Sequence, residues 1–188
     1  FPTHFNVNNA NWGIFEEVNK RFADAACNEA AEGATVWVHD YNLWLAPGYI
    51  RQQRPDLKIA FFHHTPFPGN DVFAILPWRE QILESLLCCD VVGFHIPRYT
   101  ENFARAASTL VGAKRGPKIS VDQKFITVGT ALSEGTVTSH LDHNGRRIQL
   151  LSSPVGTSPD VIQELSWSAS VESYGEMIVQ DTKKGRKL

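Results

Sequence analysis

The chain has 188 residues, 43% of them hydrophobic and 20% charged, which suits one domain with a real core and excludes wholesale disorder. A formal net charge of −2 and the lack of a long basic run argue against a nucleic-acid partner; the cationic cluster Lys183-Lys184-Gly185-Arg186-Lys187 reads as a solvated tail. Polar residues interrupt every apolar stretch short of the about 18 residues a membrane span needs, and "FPTHFNVNNANW" lacks the pattern of a signal peptide.

Ile14, Val18, Phe22 and Ala26 recur at helical spacing with charged residues between them, and Gly33 follows as a stop. Next comes "TVWVH" (Thr35–His39), short, β-branched and without alternation, the pattern of a strand covered on both faces. "NLWLAPGYIRQQ" reads as a helix disturbed by Pro47 and Gly48. "KIAFFHH" is a second covered strand. "WREQILESLLCC" is a helix with Pro77 at or near its first turn and Ile82, Leu83, Leu86 and Leu87 facing inward. "DVVGFH" is a third strand, and "YTENFARAASTLVG" a helix with Phe103, Ala106, Ala107 and Leu110 in register. This alternation predicts an α/β fold with right-handed crossovers and a doubly wound parallel sheet, 1–188 forming a single domain.

After Gly112 the texture changes. "KFITVGTAL" and "RRIQLLSSPVG" flank a polar link and suggest a hairpin or two edge strands, and "SPDVIQEL" restarts a helix with Ser158 as cap and Pro159 in its first turn. Cys27, Cys88 and Cys89 include no C-x-x-C pair, so they read as small buried hydrophobes of a reducing, cytoplasmic compartment.

All three covered strands end in histidine: His39, the pair His63 and His64, and His95. Ligands of open parallel sheets bind beyond the carboxyl ends of the strands, so these side chains should gather along one edge, next to Asp40. Two chemistries fit. Imidazoles and Asp40 could hold zinc or iron, although no H-E-x-x-H or H-x-H unit is present. Alternatively they hydrogen-bond a polyhydroxylated substrate in a pocket shaped by the following Pro/Gly loop.

"WVHDYNLWLAPGYIR", "FFHHTPFPGNDVFAILPWREQIL", "CCDVVGFH" and "SSPVGTSPDVIQEL" resemble the trehalose-phosphate synthase family of glycosyltransferases, in order and over nearly the whole chain. The family's counterparts run roughly W-V-H-D-Y-H-L, F-F-L-H-T-P-F-P, a-D-l-i-G-F-H and P-I-G-I. The resemblance implies two Rossmann-like domains with the active site between them, and transfer of glucose from a nucleotide sugar to a sugar or polyol phosphate with retention. It assigns Asp40 to the acceptor hydroxyls and His64 to the transferred glucose, both as catalytic residues, with Tyr41 and Asn42 as further substrate contacts. His39 matches the pattern and reads as mainly structural; His63 replaces an apolar residue and reads as a local variant.

Asn42 in place of histidine, the added bulk of Trp44, and the segments "FPTHFNVNNANWGIFEEVN" and "LLCCDVVGFHIPRYTENF" point to the branch that uses ADP-glucose and sn-glycerol 3-phosphate to make an osmoprotectant precursor, chiefly in cyanobacteria. In that reading Trp44 and Trp12 are candidates to fill the space a larger acceptor would take, or else core residues behind the strands. No metal and no cofactor beyond the nucleotide-sugar donor is implied. The resemblance makes this chain an internal piece of the first, acceptor-side domain: the donor loop would precede Phe1, and the diphosphate-binding Arg and Lys would follow Leu188. The alternatives are a trehalose-6-phosphate synthase taking glucose 6-phosphate, and a non-catalytic sugar-phosphate sensor on the same domain.

Overall fold

The computed structural model describes residues 11–121 and 134–154, together with Gln163, Ser173, Tyr174, Glu176 and Val179. The chain divides into a unit ending at Pro154 and a second running from Val155 to Leu188, and the elements with defined bounds all belong to the first. They are helices α1 (Trp12–Glu29), α2 (Ala46–Gln53), α3 (Asn70–Phe73), α4 (Arg79–Leu86) and α5 (Pro97–Val111), and strands β1 (Thr35–His39), β2 (Lys58–His63), β3 (Val91–Phe94), β4 (Lys114–Arg115), β5 (Lys118–Ser120), β6 (Thr136–Thr138), β7 (His140–His143) and β8 (Arg146–Ser152). A six-stranded sheet runs in the order β1-β2-β3-β8-β7-β4, and β5 pairs with β6 in a small second sheet. The first four strands of the large sheet are parallel and the last two antiparallel to their neighbours. The mostly parallel α/β architecture follows the alternation of the sequence.

The step from β1 to β2, β3 and β8 always goes the same way, so right-handed crossovers set α2, α4 and α5 on one face. Val38, Ile59, Phe61, Val92, Phe94, Ile148 and Leu150 are buried beneath them. The other face of the edge strand β1 carries Trp37 at 63% exposure, and Leu151 on β8 is 48% exposed. Among the described residues the expected cover of "TVWVH" on both faces is not seen, since Trp37 stands exposed.

Three more local readings change. In α1 the residues packed inward are Asn19, Ala23 and Cys27, while Ile14, Val18 and Phe22 are exposed. This helix packs on α2, and a stripe of small side chains permits that close approach. Pro47 does not disturb a helix: Tyr41–Leu43 is a separate 3₁₀ turn, and Pro47 lies in the first turn of α2, where its missing N–H is no loss. Finally, "RRIQLLSS" is no edge strand. β8 pairs parallel with β3 after the long crossover through α5, and joins β7 by a two-residue turn in which Asn144 and Gly145 have φ of 47° and 76°. Asn-Gly is a hairpin signal sitting inside the supposed link. "KFITVGTAL" and the "SPDVIQEL" helix lie outside the described residues. Pro77 precedes the N-cap Trp78 of α4, whose Ile82, Leu83 and Leu86, with Leu87 beyond, are buried as expected.

Two polar residues pin the layers. Asp90, just before β3, accepts bonds from Ile59 N at 2.7 Å, Arg51 Nη2 at 2.8 Å and Arg146 Nη2 at 2.9 Å, tying β2, α2 and β8 at the amino edge of the sheet. Asn19 is fully buried with its amide satisfied at both ends. Nδ2 donates to the carbonyls of Phe15 and Asn42, and Oδ1 accepts from Leu45 N and Ala46 N at 2.9 and 3.1 Å. It thereby caps the start of α2 from outside and fixes the segment that follows β1. Asn19→Ala orphans two buried N–H groups and a carbonyl, so urea unfolding should show a loss of about 2–4 kcal/mol.

Candidate functional site

The carboxyl ends of β1, β2 and β3 bring His39, His64 and His95 together beside Asp40, as the strand-end pattern predicts. His39 Nδ1 and His64 Nε2 lie 2.9 Å apart with their rings stacked at 5.2 Å, and His64 sits 5.4 Å from the His95 ring. Phe62 floors this group, its ring centroid 4.9 Å from His64 and 5.0 Å from His95. It can lie there because its neighbour on β3 is Gly93, where a Cβ would come within 2.7 Å of the Phe62 ring.

Asp40 joins the loop after β1 to the loop after β2. Its backbone has φ 63° and ψ 171°, a region used almost only by glycine and costing about 1–3 kcal/mol. Its own N–H donates to Phe62 O at 2.9 Å and its carbonyl accepts from Leu43 N. Its carboxylate Oδ1 accepts from His64 N at 3.2 Å, Thr65 N at 3.3 Å and Thr65 Oγ1 at 3.4 Å. Burial pushes this carboxyl up, but the N–H groups of Tyr41, Thr65 and His64, with His63 nearby, outweigh it and hold the group below the usual aspartate range. Asp40 is therefore an anion at neutral pH.

His63 points the other way, into the helical face, and is 1% exposed. Nδ1 is 2.7 Å from the Thr65 carbonyl, so the ring donates Nδ1–H there. Its ring stacks 5.7 Å from Trp44 and packs on Phe67 and Phe94. Burial pushes its pKa below the ordinary histidine range, against the pull of the Thr65 carbonyl and Asp40. It is a neutral imidazole whose Nε2 has no partner among the described residues, as is also true of Trp44 Nε1.

Of the other sequence candidates, Tyr41 and Asn42 are exposed beside Asp40, with the Asn42 carbonyl held by Asn19. Trp44 packs behind the strands against His63 and Phe73. Trp12 is not brought to the Asp40 group by any contact among the described residues. It stacks on Trp78 at 4.3 Å and on Phe15, and its Nε1–H donates to Gln81 Oε1 at 2.9 Å. Glu80 and Glu84 point away from the site, toward Arg79 and His143. Thr65 and Gly93 were not singled out from the sequence; only their positions, just after one histidine pair and two residues before another histidine, mark them. Among the described residues no group of three or more His, Cys, Asp or Glu is arranged to hold a metal ion, and no helix is long and apolar enough to cross a membrane.

The mostly parallel α/β fold thus carries one ionised carboxylate and three imidazoles at the carboxyl edge of its sheet. The model of glycosyltransferase family 20 matches residues 1–188, and the chain belongs to that family. Over 181 residues it is 51% identical to the glucosylglycerol-phosphate synthase of Synechocystis sp., which takes in 96% of this chain and 36% of the relative. It is 54% identical over 102 residues, 54% of this chain and 20% of the relative, to the trehalose-6-phosphate synthase of Mycolicibacterium gilvum. The N-terminal domain of Candida albicans trehalose-6-phosphate phosphatase has the same fold, with a TM-score of 0.69 at 22% identity, covering 91% of this chain and 32% of that one. The α,α-trehalose-phosphate synthase of Burkholderia xenovorans gives 0.63 at 24% identity, covering 81% and 30%. The chain spans about a third of the length of the glucosylglycerol-phosphate synthase relatives from Synechocystis and Picosynechococcus.

The burial of His63 makes a prediction about pH. Its folded pKa lies below its unfolded value, so below about pH 6.5 the unfolded chain takes up a proton that the folded chain does not. Stability is lost as pH falls through that value. The thermal midpoint should drop more between about pH 7.5 and about pH 5.5 in the parent than in His63→Leu, with equal drops showing that His63 titrates normally.

Proposed function

We propose that this chain is the acceptor-side part of a retaining glucosyltransferase that moves glucose from ADP-glucose to sn-glycerol 3-phosphate, giving glucosylglycerol phosphate in the cytoplasm. The observation that carries the reading is the ionised Asp40 carboxylate fixed beside His64 at the carboxyl edge of a parallel sheet. The identity of 51% to the Synechocystis glucosylglycerol-phosphate synthase, spread over 96% of the chain, supports the choice of acceptor. The match to the trehalose-6-phosphate synthase of M. gilvum takes in 54% of it.

In this reading Asp40 accepts a hydrogen bond from an acceptor hydroxyl and orients its oxygen, while His64 holds a hydroxyl of the glucose. The bond from glucose C1 to the diphosphate oxygen breaks, and the acceptor oxygen forms its bond on the same face. The acceptor proton passes to the departing diphosphate. A double displacement would need a second carboxylate about 5–5.5 Å from the first. The groups that hydrogen-bond the Asp40 carboxylate among the described residues are a hydroxyl and backbone N–H groups, which favours front-face transfer governed by positioning and electrostatics. His63 and Trp44 pack together beside the loops after β1 and β2, and Trp44 also meets Tyr41 edge-on at 6.2 Å, so in this reading it supports the acceptor side of the site.

The test is a chimera in which this chain replaces the matching segment of the Synechocystis synthase, assayed with ADP-glucose. kcat/KM should be much higher for glycerol 3-phosphate than for glucose 6-phosphate; equal use, or preference for glucose 6-phosphate, assigns the chain to trehalose-phosphate synthesis. In the same chimera Asp40→Ala and His64→Ala should each lower kcat by about 10²–10³, the usual loss for a group that acts in the transition state. Full turnover in Asp40→Ala would remove Asp40 from the reaction.

A further inference from the structure

We propose that His63 is a positioning residue for Asp40: through Thr65 it locks the turn after β2 whose N–H and O–H groups hold the Asp40 carboxylate. The inference rests on the reading of Asp40 as the acceptor-binding group.

The starting point is a polar ring where the fold asks for an apolar one. Position 63 ends an apolar run and is enclosed by Trp44, Phe61, Phe67 and Phe94. A leucine would fill this space with no polar atom to satisfy. The imidazole instead buries two nitrogens at 1% exposure and finds a partner for Nδ1 while Nε2 has none among the described residues. A buried polar group satisfied at one end contributes less stability than a hydrophobe of similar volume. Stability therefore does not account for the ring, and its one good bond must be judged by what that bond fixes.

It fixes the Thr65 peptide. The Nδ1–H donates to Thr65 O at 2.7 Å, and Thr65 Oγ1 also lies 3.3 Å from Nδ1. Asp40 Oδ1 draws its bonds from the same short turn, namely His64 N, Thr65 N and Thr65 Oγ1. Two consecutive N–H groups converge on one oxygen only if the chain bends sharply between them. The bond from His63 to the carbonyl two residues on closes that bend. Pro66 restricts Thr65 further from the other side. The ring cannot drift, because Trp44 stacks on it, and Trp44 belongs to the segment that begins at Asp40. His63 thus touches both loops that Asp40 joins.

Leucine at 63 conserves volume and should fold, so His63→Leu separates packing from positioning. Hydrogen exchange is measured by NMR on the 188-residue chain at neutral pH, for the amides of His64 and Thr65 against core amides such as Phe61. In His63→Leu the His64 and Thr65 amides should exchange on the order of tenfold faster relative to the core, the size of one net hydrogen bond lost in a local opening. The thermal midpoint should stay the same or rise. His63→Asn carries its amide N–H near the position of Nδ1, and should restore protection of the two amides although it packs worse and melts lower. Unchanged protection in His63→Leu overturns the proposal, and so does a failure of a folded His63→Asn chain to restore it. In the chimera, His63→Leu should lower kcat and His63→Asn recover it. If the exchange result holds while Asp40→Ala leaves turnover intact, the reading of Asp40 as the acceptor-binding group fails and the positioning of Asp40 by His63 stands.

Discussion

Asp40 occupies a backbone conformation, φ 63° and ψ 171°, that a residue with a β-carbon adopts only at a cost of about 1–3 kcal/mol. Several contacts repay that cost together. Its N–H reaches across to Phe62 O, extending the β1–β2 ladder by one rung, and its carboxylate then faces the turn that leaves β2. The same geometry that strains the main chain at 40 turns the carboxylate toward His64 and Thr65. The site is therefore not a set of side chains placed on a finished sheet. It is the point where two strand ends are joined, and the join is a charged group.

Polar residues set the frame around this point, and hydrophobic ones fill it. Asn19 fixes the segment from Asn42 to Ala46 against α1, Asp90 fixes the opposite edge of the sheet, and His63 stands between them beneath the loops. Each offers directional bonds to backbone groups that no helix or strand ladder satisfies. The phenylalanines at 61, 67, 73, 94 and 103 contribute burial without direction. The consequence is a division of labour in which a core substitution would mostly alter stability, while a change at Asn19 or His63 would alter where the loops lie.

Much of this was legible in the sequence. The alternation of apolar runs and helical repeats predicts a mostly parallel α/β sheet, and three strands ending in histidine predict the edge at which the rings assemble. What was not legible depends on partners distant in sequence. Periodicity marks Ile14, Val18 and Phe22 as a face but cannot show that α1 turns Asn19, Ala23 and Cys27 inward. An apolar strand such as "TVWVH" reads the same whether or not a layer covers its second face, so the exposure of Trp37 among the described residues could not be read from its residues. Thr65 escapes notice because a threonine before a proline is an ordinary loop pair; its importance appears only once Asp40 is seen opposite it.

Gly93 contributes no atom to the site, yet Phe62 can lie where it does only because position 93 has no Cβ. Phe62 in turn is the shared support of His64 and His95. The four positions are therefore coupled in sequence drift. A larger residue at 93 is admissible only after the ring at 62 shrinks, and a smaller ring at 62 withdraws the surface on which both imidazoles rest. Either first step disturbs the packing beneath both imidazoles, so histidines at 64 and 95 favour glycine at 93 although neither touches it.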